Sequence, residues 1–298
     1  MQEIMPVSSY YNYGRFKRTR LAPTPSGFLH LGNLFSFACT AALAQQTGAK
    51  LLLRIDDLDQ GRTRQEYVSD VFDTLAFMRL PWHEGPSDAL EFYRSYSQLE
   101  RMHLYNDALA ELVKLGLVYA CSCSRTDLIN HQRYPGTCKE KNLPLYEENL
   151  SWRLHTGPFP EVAIKGLSAE ESCLLPETMH DFVVRKKDGS PSYQLASLID
   201  DDHFDVDLIV RGQDLYPSSI AQLYLASVLA KDRFLNCTFV HHRLLSSPAG
   251  SKLSKSAGDT SVRFWRQKGL SAADIYELVG KLLGRADIRH WNDLLTEL

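Results

Sequence analysis

Two short stretches hold the residue types that phosphate chemistry needs. The first is Pro23-Thr24-Pro25-Ser26-Gly27-Phe28-Leu29-His30-Leu31-Gly32-Asn33, which follows a short apolar run and leads into a helical pattern. A helix start offers unpaired N–H groups and a partial positive charge, which suit an anion. There His30 can donate to a phosphate oxygen as charge builds on it. Gly32 lets a flat adenine approach the backbone. The second is Lys252-Leu253-Ser254-Lys255-Ser256, flanked by Pro248, Gly250 and Gly258. Two lysines three apart among small residues reach phosphate as mobile point charges. Each has an ordinary alternative, a helix start with an incidental His and a solvated surface loop. Their order, one after the first strand and one after the last, links them. A third group is Cys121-Ser122-Cys123 with Cys138. C-x-C is compatible with two thiolates on one metal, and zinc takes four ligands, usually Cys and His. The spacing alone equally fits three buried thiols. Cys39, Cys173 and Cys237 are scattered and read as structural.

These groups must be positioned by alternating elements. Thr19 to Ala22 is a short strand, stopped by Pro23 and Pro25. Leu34, Phe37, Ala38, Ala41, Ala42 and Gln45 fall at helical spacing, with Gly48 as the residue that ends the helix. Lys50 to Ile55 reads as a buried strand, and Val68, Val71, Phe72, Leu75 and Met78 as a second helix ending near Pro81. That order predicts βαβ units and a parallel sheet. Leu117 to Cys121 reads as a strand. From Cys123 to Pro160 turn residues and four prolines predict an inserted subdomain. Asp188-Gly189 between Phe182–Lys187 and Pro191–Leu195 is a hairpin signal. Val206 to Arg211 is a strand, Pro217 to Ala230 a helix, Thr238 to Leu245 a strand, and Ala272 to Leu298 two short helices.

The chain of 298 residues has 33 basic and 36 acidic residues, a formal charge of −3 and 44% hydrophobic residues. This is a folded, soluble composition and excludes a disordered chain, a collagen-like repeat and a disulfide scaffold. No apolar run reaches the roughly 18 residues of a membrane span. No secretory signal is seen at the start, so the cysteines read as thiols or metal ligands. The near-neutral charge argues against indiscriminate nucleic-acid binding but leaves room for a local basic face. The stretch with Tyr10, Tyr11, Tyr13, Arg15, Lys17 and Arg18 is expected to be a loosely held arm. It and the group Arg263, Arg266 and Lys268 are either RNA contacts or solvated surface. His241 and His242 read as structural, although the first also has a place beside a nucleotide.

The paired motifs resemble those of class I aminoacyl-tRNA synthetases. His30-Leu-Gly-Asn33 stands where that class has HIGH, and Lys252-Leu-Ser-Lys-Ser256 where it has KMSKS. Arg20-Leu-Ala-Pro-Thr-Pro-Ser-Gly27, Leu53-Arg-Ile-Asp-Asp-Leu-Asp59, Tyr193-Gln-Leu-Ala-Ser-Leu-Ile-Asp-Asp201 and Val210-Arg-Gly-Gln-Asp214 resemble the glutamyl branch. The resemblance covers about Arg20 to Ser256. Few residues follow Ser256, where full glutamate–tRNA ligases continue into an anticodon-binding region. The chain is therefore similar to the truncated glutamyl-queuosine tRNA(Asp) synthetases.

The resemblance implies an α/β fold, a Rossmann-like doubly wound parallel sheet, with an inserted zinc-binding and acceptor-binding subdomain and no anticodon-binding domain. Its expected parts are an arm (1–18), two catalytic halves (19–116 and 193–260), the insert (117–192) and a C-terminal helical segment (261–298). It implies an ATP-dependent ligase that activates L-glutamate and transfers it to queuosine at the wobble position of tRNA(Asp). His30, Gly32, Lys252 and Lys255 would be catalytic and, with Asn33 and Ser254, bind ATP with Mg²⁺. Arg20, Thr24, Asp56, Tyr193 and Arg211 would hold glutamate, since a guanidinium fork binds both oxygens of a carboxylate. Asp56 replaces the family's usual Glu and is one methylene shorter, so the amino-group contact is expected to pass through water or the selectivity to differ. Cys121, Cys123 and Cys138 would hold one structural Zn²⁺, with Tyr134 as the fourth ligand or His131 as its rival. The expected partners are ATP, L-glutamate and tRNA(Asp) carrying queuosine, with no membrane, in a cytoplasmic monomer. The alternatives are a compact glutamate ligase acting on another acceptor and a non-catalytic RNA-binding relative.

Overall fold

The computed structural model describes residues 15–158, 160–245 and 261–298. Lys252, Ser254 and Lys255, like Tyr10, Tyr11 and Tyr13, lie outside the described residues. The chain opens with β1 (Arg18–Leu21), α1 (Leu31–Thr47), β2 (Lys50–Leu53) and α2 (Gln65–Phe77). β1 and β2 pair in parallel. Leu51, Leu52 and Leu53 are buried on both faces of the sheet, each contributing roughly 1.5–3 kcal/mol. Gly48 ends α1 in the left-handed region at φ 75°, as its position predicts.

A one-turn helix α3 (Ala89–Glu91) precedes α4 (Met102–Lys114), a helix not expected from the sequence. Its signal is Tyr105, Ala108, Leu109 and Leu112, buried at helical spacing. β3 (Val118–Cys121), β4 (Ser151–Leu154) and β7 (Val183–Arg185) form a separate antiparallel sheet. Between them in sequence, β5 (Glu161–Lys165) and β6 (Glu170–Leu174) form a hairpin on the edge of the main sheet, where Lys165 aligns with Thr238. Residues 117–192, expected as one insert, thus supply strands to two sheets.

The predicted hairpin at Asp188-Gly189 has its turn but not its second strand. Gly189 takes φ 86°, and Lys186 N donates to Ser190 O at 2.8 Å. Pro191 makes one isolated bridge to Arg185, and Ser192 then caps α5 (Tyr193–His203) by accepting from Leu195 N. Pro has no N–H to extend a ladder, and Ser is a strong helix cap, so the return strand becomes a helix.

β8 (Leu208–Gly212), α6 (Tyr216–Val228), a short α7 (Asp232–Leu235) and β9 (Thr238–His242) complete the parallel layer. β1 lies alongside β8, with Asp207 N donating to Arg18 O at 3.1 Å. The expected loose arm at 1–18 is corrected at its described end. Lys17 N and Arg18 N both donate to the Asp207 carboxylate at 2.9 Å, which ties the segment to the sheet. α8 (Val262–Gln267) and α9 (Ala272–Leu283) follow, and a 3₁₀ turn at Trp291–Glu297 packs Leu294 against α1 through the core. Among the described residues no helix is long and apolar enough to cross a membrane.

Candidate active site at the strand switch point

From β1 the chain crosses by α1 to β2 on one side, and from β8 it crosses by α6 to β9 on the other. The crevice between β1 and β8 is a topological switch point, where open α/β sheets bind ligands. A cavity of about 370 Å³ opens there. Arg20, Thr24, Asp56, Tyr193 and Arg211 all line it, and so does Asn33. They come from the end of β1, the following loop, the loop after β2, the start of α5 and the end of β8.

The charged side chains of this wall are buried and mostly paired. Arg20 Nε donates to Asp201 Oδ1 at 3.0 Å, and its Nη1 donates to Val210 O. Arg54 reaches the same Asp201 oxygen at 2.7 Å. It also clamps both oxygens of Asp56, at 2.7 and 3.0 Å. Burial pushes the Asp56 carboxyl above its ordinary value against this pairing. The shorter Asp therefore meets a charge partner from its own strand end, and a ligand ammonium would share that carboxylate with Arg54.

Arg211 differs. Its Nη1 donates to Gln222 Oε1 at 2.9 Å and to Ser219 Oγ at 3.4 Å, both neutral partners. Its Nε and Nη2 are buried and have no hydrogen-bond partner among the described residues. Burial, then the neighbouring Arg20, lower its pKa against the pull of Tyr193 and of Asp201, whose Oδ2 stands 4.0 Å from Nη2. A buried cation in that state is completed by an anion, and a carboxylate matches its fork. Ser219 Oγ is held in turn by His241 Nε2 at 2.8 Å. Burial, with Arg211 and His242 nearby, brings His241 down to about 4, so it stays neutral and adds no charge.

His30 stands at the N-cap of α1, next to this cavity. Gly32 N and Asn33 N donate to its Nδ1 at 3.0 and 3.3 Å. The Asn33 side chain returns to His30 N at 3.2 Å. With Nδ1 accepting, the ring proton sits on Nε2, which makes the outer nitrogen a donor. Gly32 has a reason beyond an approach to adenine, since a Cβ there would stand 2.9 Å from His30 Cε1. Ser261 bridges to His30, and Val262 N donates to Leu29 O at 2.8 Å. The described residues on either side of 246–260 are thus Leu245, just after β9, and Ser261, bridged to His30.

Cys121, Cys123 and Cys138 come together elsewhere, with their sulfurs within 4.8 Å of one another. Tyr134 Oη accepts from Cys121 Sγ at 3.4 Å and from Cys138 N at 2.8 Å. His131 is exposed and outside this group. Burial opposes ionisation of Cys138, but hydrogen bonds from Ser122 and then Cys123 and Tyr134 bring it down to about 6. Three soft donors with a phenol as the fourth fit a closed zinc site.

Arg54, Asp201, Ser219 and Gln222 carry roles that the sequence alone did not assign. The first two lie inside motifs already quoted, where a charge at the end of an apolar strand or within a buried helical face was the available signal.

The family profile described as "tRNA synthetases class I (E and Q), catalytic domain" matches residues 17–156 and 168–283. The chain belongs to that family. Among its relatives, a glutamyl-Q tRNA(Asp) synthetase of Rhodobacter capsulatus is 31% identical over 290 residues, covering 88% of this chain and 99% of that protein. One from Nitratidesulfovibrio vulgaris is 33% identical, covering 90% and 86%. Glutamate–tRNA ligase 2 of Syntrophus aciditrophicus is 33% identical over 85% of this chain but only 54% of its own length. The chain thus spans about half the length of such ligases. The crystal structure of a glutamate–tRNA synthetase from Elizabethkingia anophelis shares the fold, with a TM-score of 0.73 at 21% identity over 95% of this chain and 66% of that one.

Proposed function

We propose that the protein activates L-glutamate with MgATP and transfers the glutamyl group to queuosine of tRNA(Asp). The observation that carries the first half is Arg211, a buried guanidinium with two nitrogens lacking a hydrogen-bond partner among the described residues, beside a cavity of about 370 Å³. It would take a substrate carboxylate, and Asp56 the ammonium. Arg20, Thr24 and Tyr193 would shape the remaining wall. The other carboxylate attacks the α-phosphate, a bond forms to phosphorus, and pyrophosphate leaves with the broken P–O pair. His30 Nε2–H, Lys252 and Lys255 would stabilise the charge on the phosphates, with Gly32, Asn33 and Ser254 along the nucleotide. The protein's task is mainly orientation. Mg²⁺ arrives as part of the nucleotide substrate. The names of the relatives support the second half, a queuosine acceptor.

We also read Cys121, Cys123, Cys138 and Tyr134 as the holders of one zinc ion. When bound, the metal supplies a cross-link, and closed coordination leaves it no position for substrate.

The test is transfer of labelled glutamate to tRNA(Asp) with and without queuosine, and to tRNA(Glu). Labelling only of the queuosine-containing RNA supports the proposal. Equal labelling of both tRNA(Asp) forms, or labelling of tRNA(Glu), replaces it with a ligase for another acceptor.

A further inference from the structure

α5 presents two consecutive carboxylates, both fully buried, with different duties. Asp200 is consumed away from the cavity. It accepts from Arg101 Nε at 2.8 Å, Tyr105 Oη at 2.7 Å and Gln98 Nε2 at 2.9 Å. Asp201 faces the cavity's arginines. Its Oδ1 accepts from both Arg20 and Arg54, at 3.0 and 2.7 Å. Its Oδ2 is buried without a hydrogen-bond partner among the described residues, 4.0 Å from Arg211 Nη2, which also has none. One carboxylate thus stands at the centre of three guanidinium groups. It hydrogen-bonds two of them and stays just out of hydrogen-bond reach of the third.

These pairs fix the charge balance. At the cavity wall, Arg20, Arg54 and Arg211 meet Asp56 and Asp201. Three cations against two anions leave one net positive charge on the wall, and it falls on Arg211, whose Nε and Nη2 have no hydrogen-bond partner among the described residues. Glutamate at neutral pH carries two carboxylates and one ammonium, a net charge of minus one.

We propose that Asp201 is a positioning residue that fixes Arg20 and Arg54 and sets the cavity to accept a ligand with one net negative charge, rejecting the corresponding dianion. The inference rests on the reading that the cavity holds glutamate. It explains why Arg211 is cradled by neutral Gln222 and Ser219, while its neighbours are paired to carboxylates. Asp201 touches no reacting atom in this scheme and acts only through the three arginines.

The test compares glutamate with glutarate, the same dicarboxylate without the ammonium. ATP–pyrophosphate exchange gives KM for glutamate and Ki for glutarate in the wild type, Asp201→Asn, Arg20→Gln and the double variant. Loss of the aspartate raises the net charge, so the ratio of Ki for glutarate to KM for glutamate falls about tenfold in Asp201→Asn. Arg20→Gln moves the ratio about tenfold the other way, and the double variant returns to within about threefold of the wild type. General damage to the pocket weakens both ligands together and leaves the ratio unmoved. An unchanged ratio in Asp201→Asn overturns the inference. If that variant does not fold, the double variant against Arg20→Gln decides, and a ratio equal in those two overturns it as well. Absence of glutamate exchange in the wild type removes the glutamate reading and this inference with it. Exchange with an unmoved ratio removes the inference alone.

Discussion

The amino-acid cavity and the thiol cluster are held together by opposite means. The cavity joins segments far apart in sequence, such as Arg20 and Arg54 with Asp201, and rests on buried β1, β2 and β8. Its charges are fixed by one another and by two hydrophobic cores. The thiol cluster draws its sulfurs from the stretch between Cys121 and Cys138, and among the described residues the hydrophobic side chains packed around them are Tyr119, Tyr134 and Leu143. Most of the chain between β3 and β4 has no regular secondary structure. A region with so little apolar surface to bury is the one in which the proposed zinc cross-link would add most to stability. Function in the first is a matter of unpaired charge, and in the second of local order.

This contrast breaks down if variants in the two regions fail alike. The largest effect is expected from Arg211→Gln. Losing charged hydrogen bonds to a substrate carboxylate should cut glutamate-dependent exchange about 100-fold or more. Tm should hold or rise, because a buried, under-compensated cation is removed. A drop in Tm with normal exchange would contradict the role given to this residue. Next is Cys138→Ser. Metal analysis should show loss of about one zinc per chain, with Tm lower by about 5–10 °C and exchange changed less than about threefold. Exchange falling as far as in Arg211→Gln would join the two regions into one functional unit.

Gly32→Ala sharpens the comparison within the catalytic half. A methyl group meeting the imidazole at 2.9 Å must displace the cap. We expect kcat to fall about tenfold, with KM for glutamate nearly unchanged. A KM effect instead would place this turn in the amino-acid site. The smallest effect concerns His241. Its folded pKa is lowered to about 4, so the folded state prefers the neutral ring. The unfolded ring takes a proton near pH 6.5, so this contribution to stability is lost as pH falls from about 6.5 to about 4. In His241→Gln the decline of Tm over that window should be shallower by about 2 °C, after allowance for partial exposure. Identical slopes would show that the ring titrates freely.

Much of the catalytic frame was legible because its signals are local. Prolines stop β1, Gly48 ends α1, and three consecutive leucines leave β2 no polar face. The five residues expected to hold an amino acid line one cavity because strand ends in a parallel sheet converge there. The failures have a common cause in tertiary context. Asp188-Gly189 specifies a turn, but Ser192 turns the return segment into a helix. β5 and β6 look like part of an insert until Lys165 meets Thr238 across the sheet. Gly32 was read toward a nucleotide, whereas its nearest demand is the imidazole two residues earlier. The weight of Asp201 was invisible because its three partners come from three separate strands.

On the proposed function, Arg211, whose Nε and Nη2 make no hydrogen bond among the described residues, selects glutamate beside ATP. That selection is tested most directly by ATP–pyrophosphate exchange with glutamate, glutamine and aspartate offered separately to the full chain. Exchange with glutamate exceeding that with either of the others by about 100-fold or more is the predicted result. Equal exchange with glutamine, or none with glutamate, would contradict it.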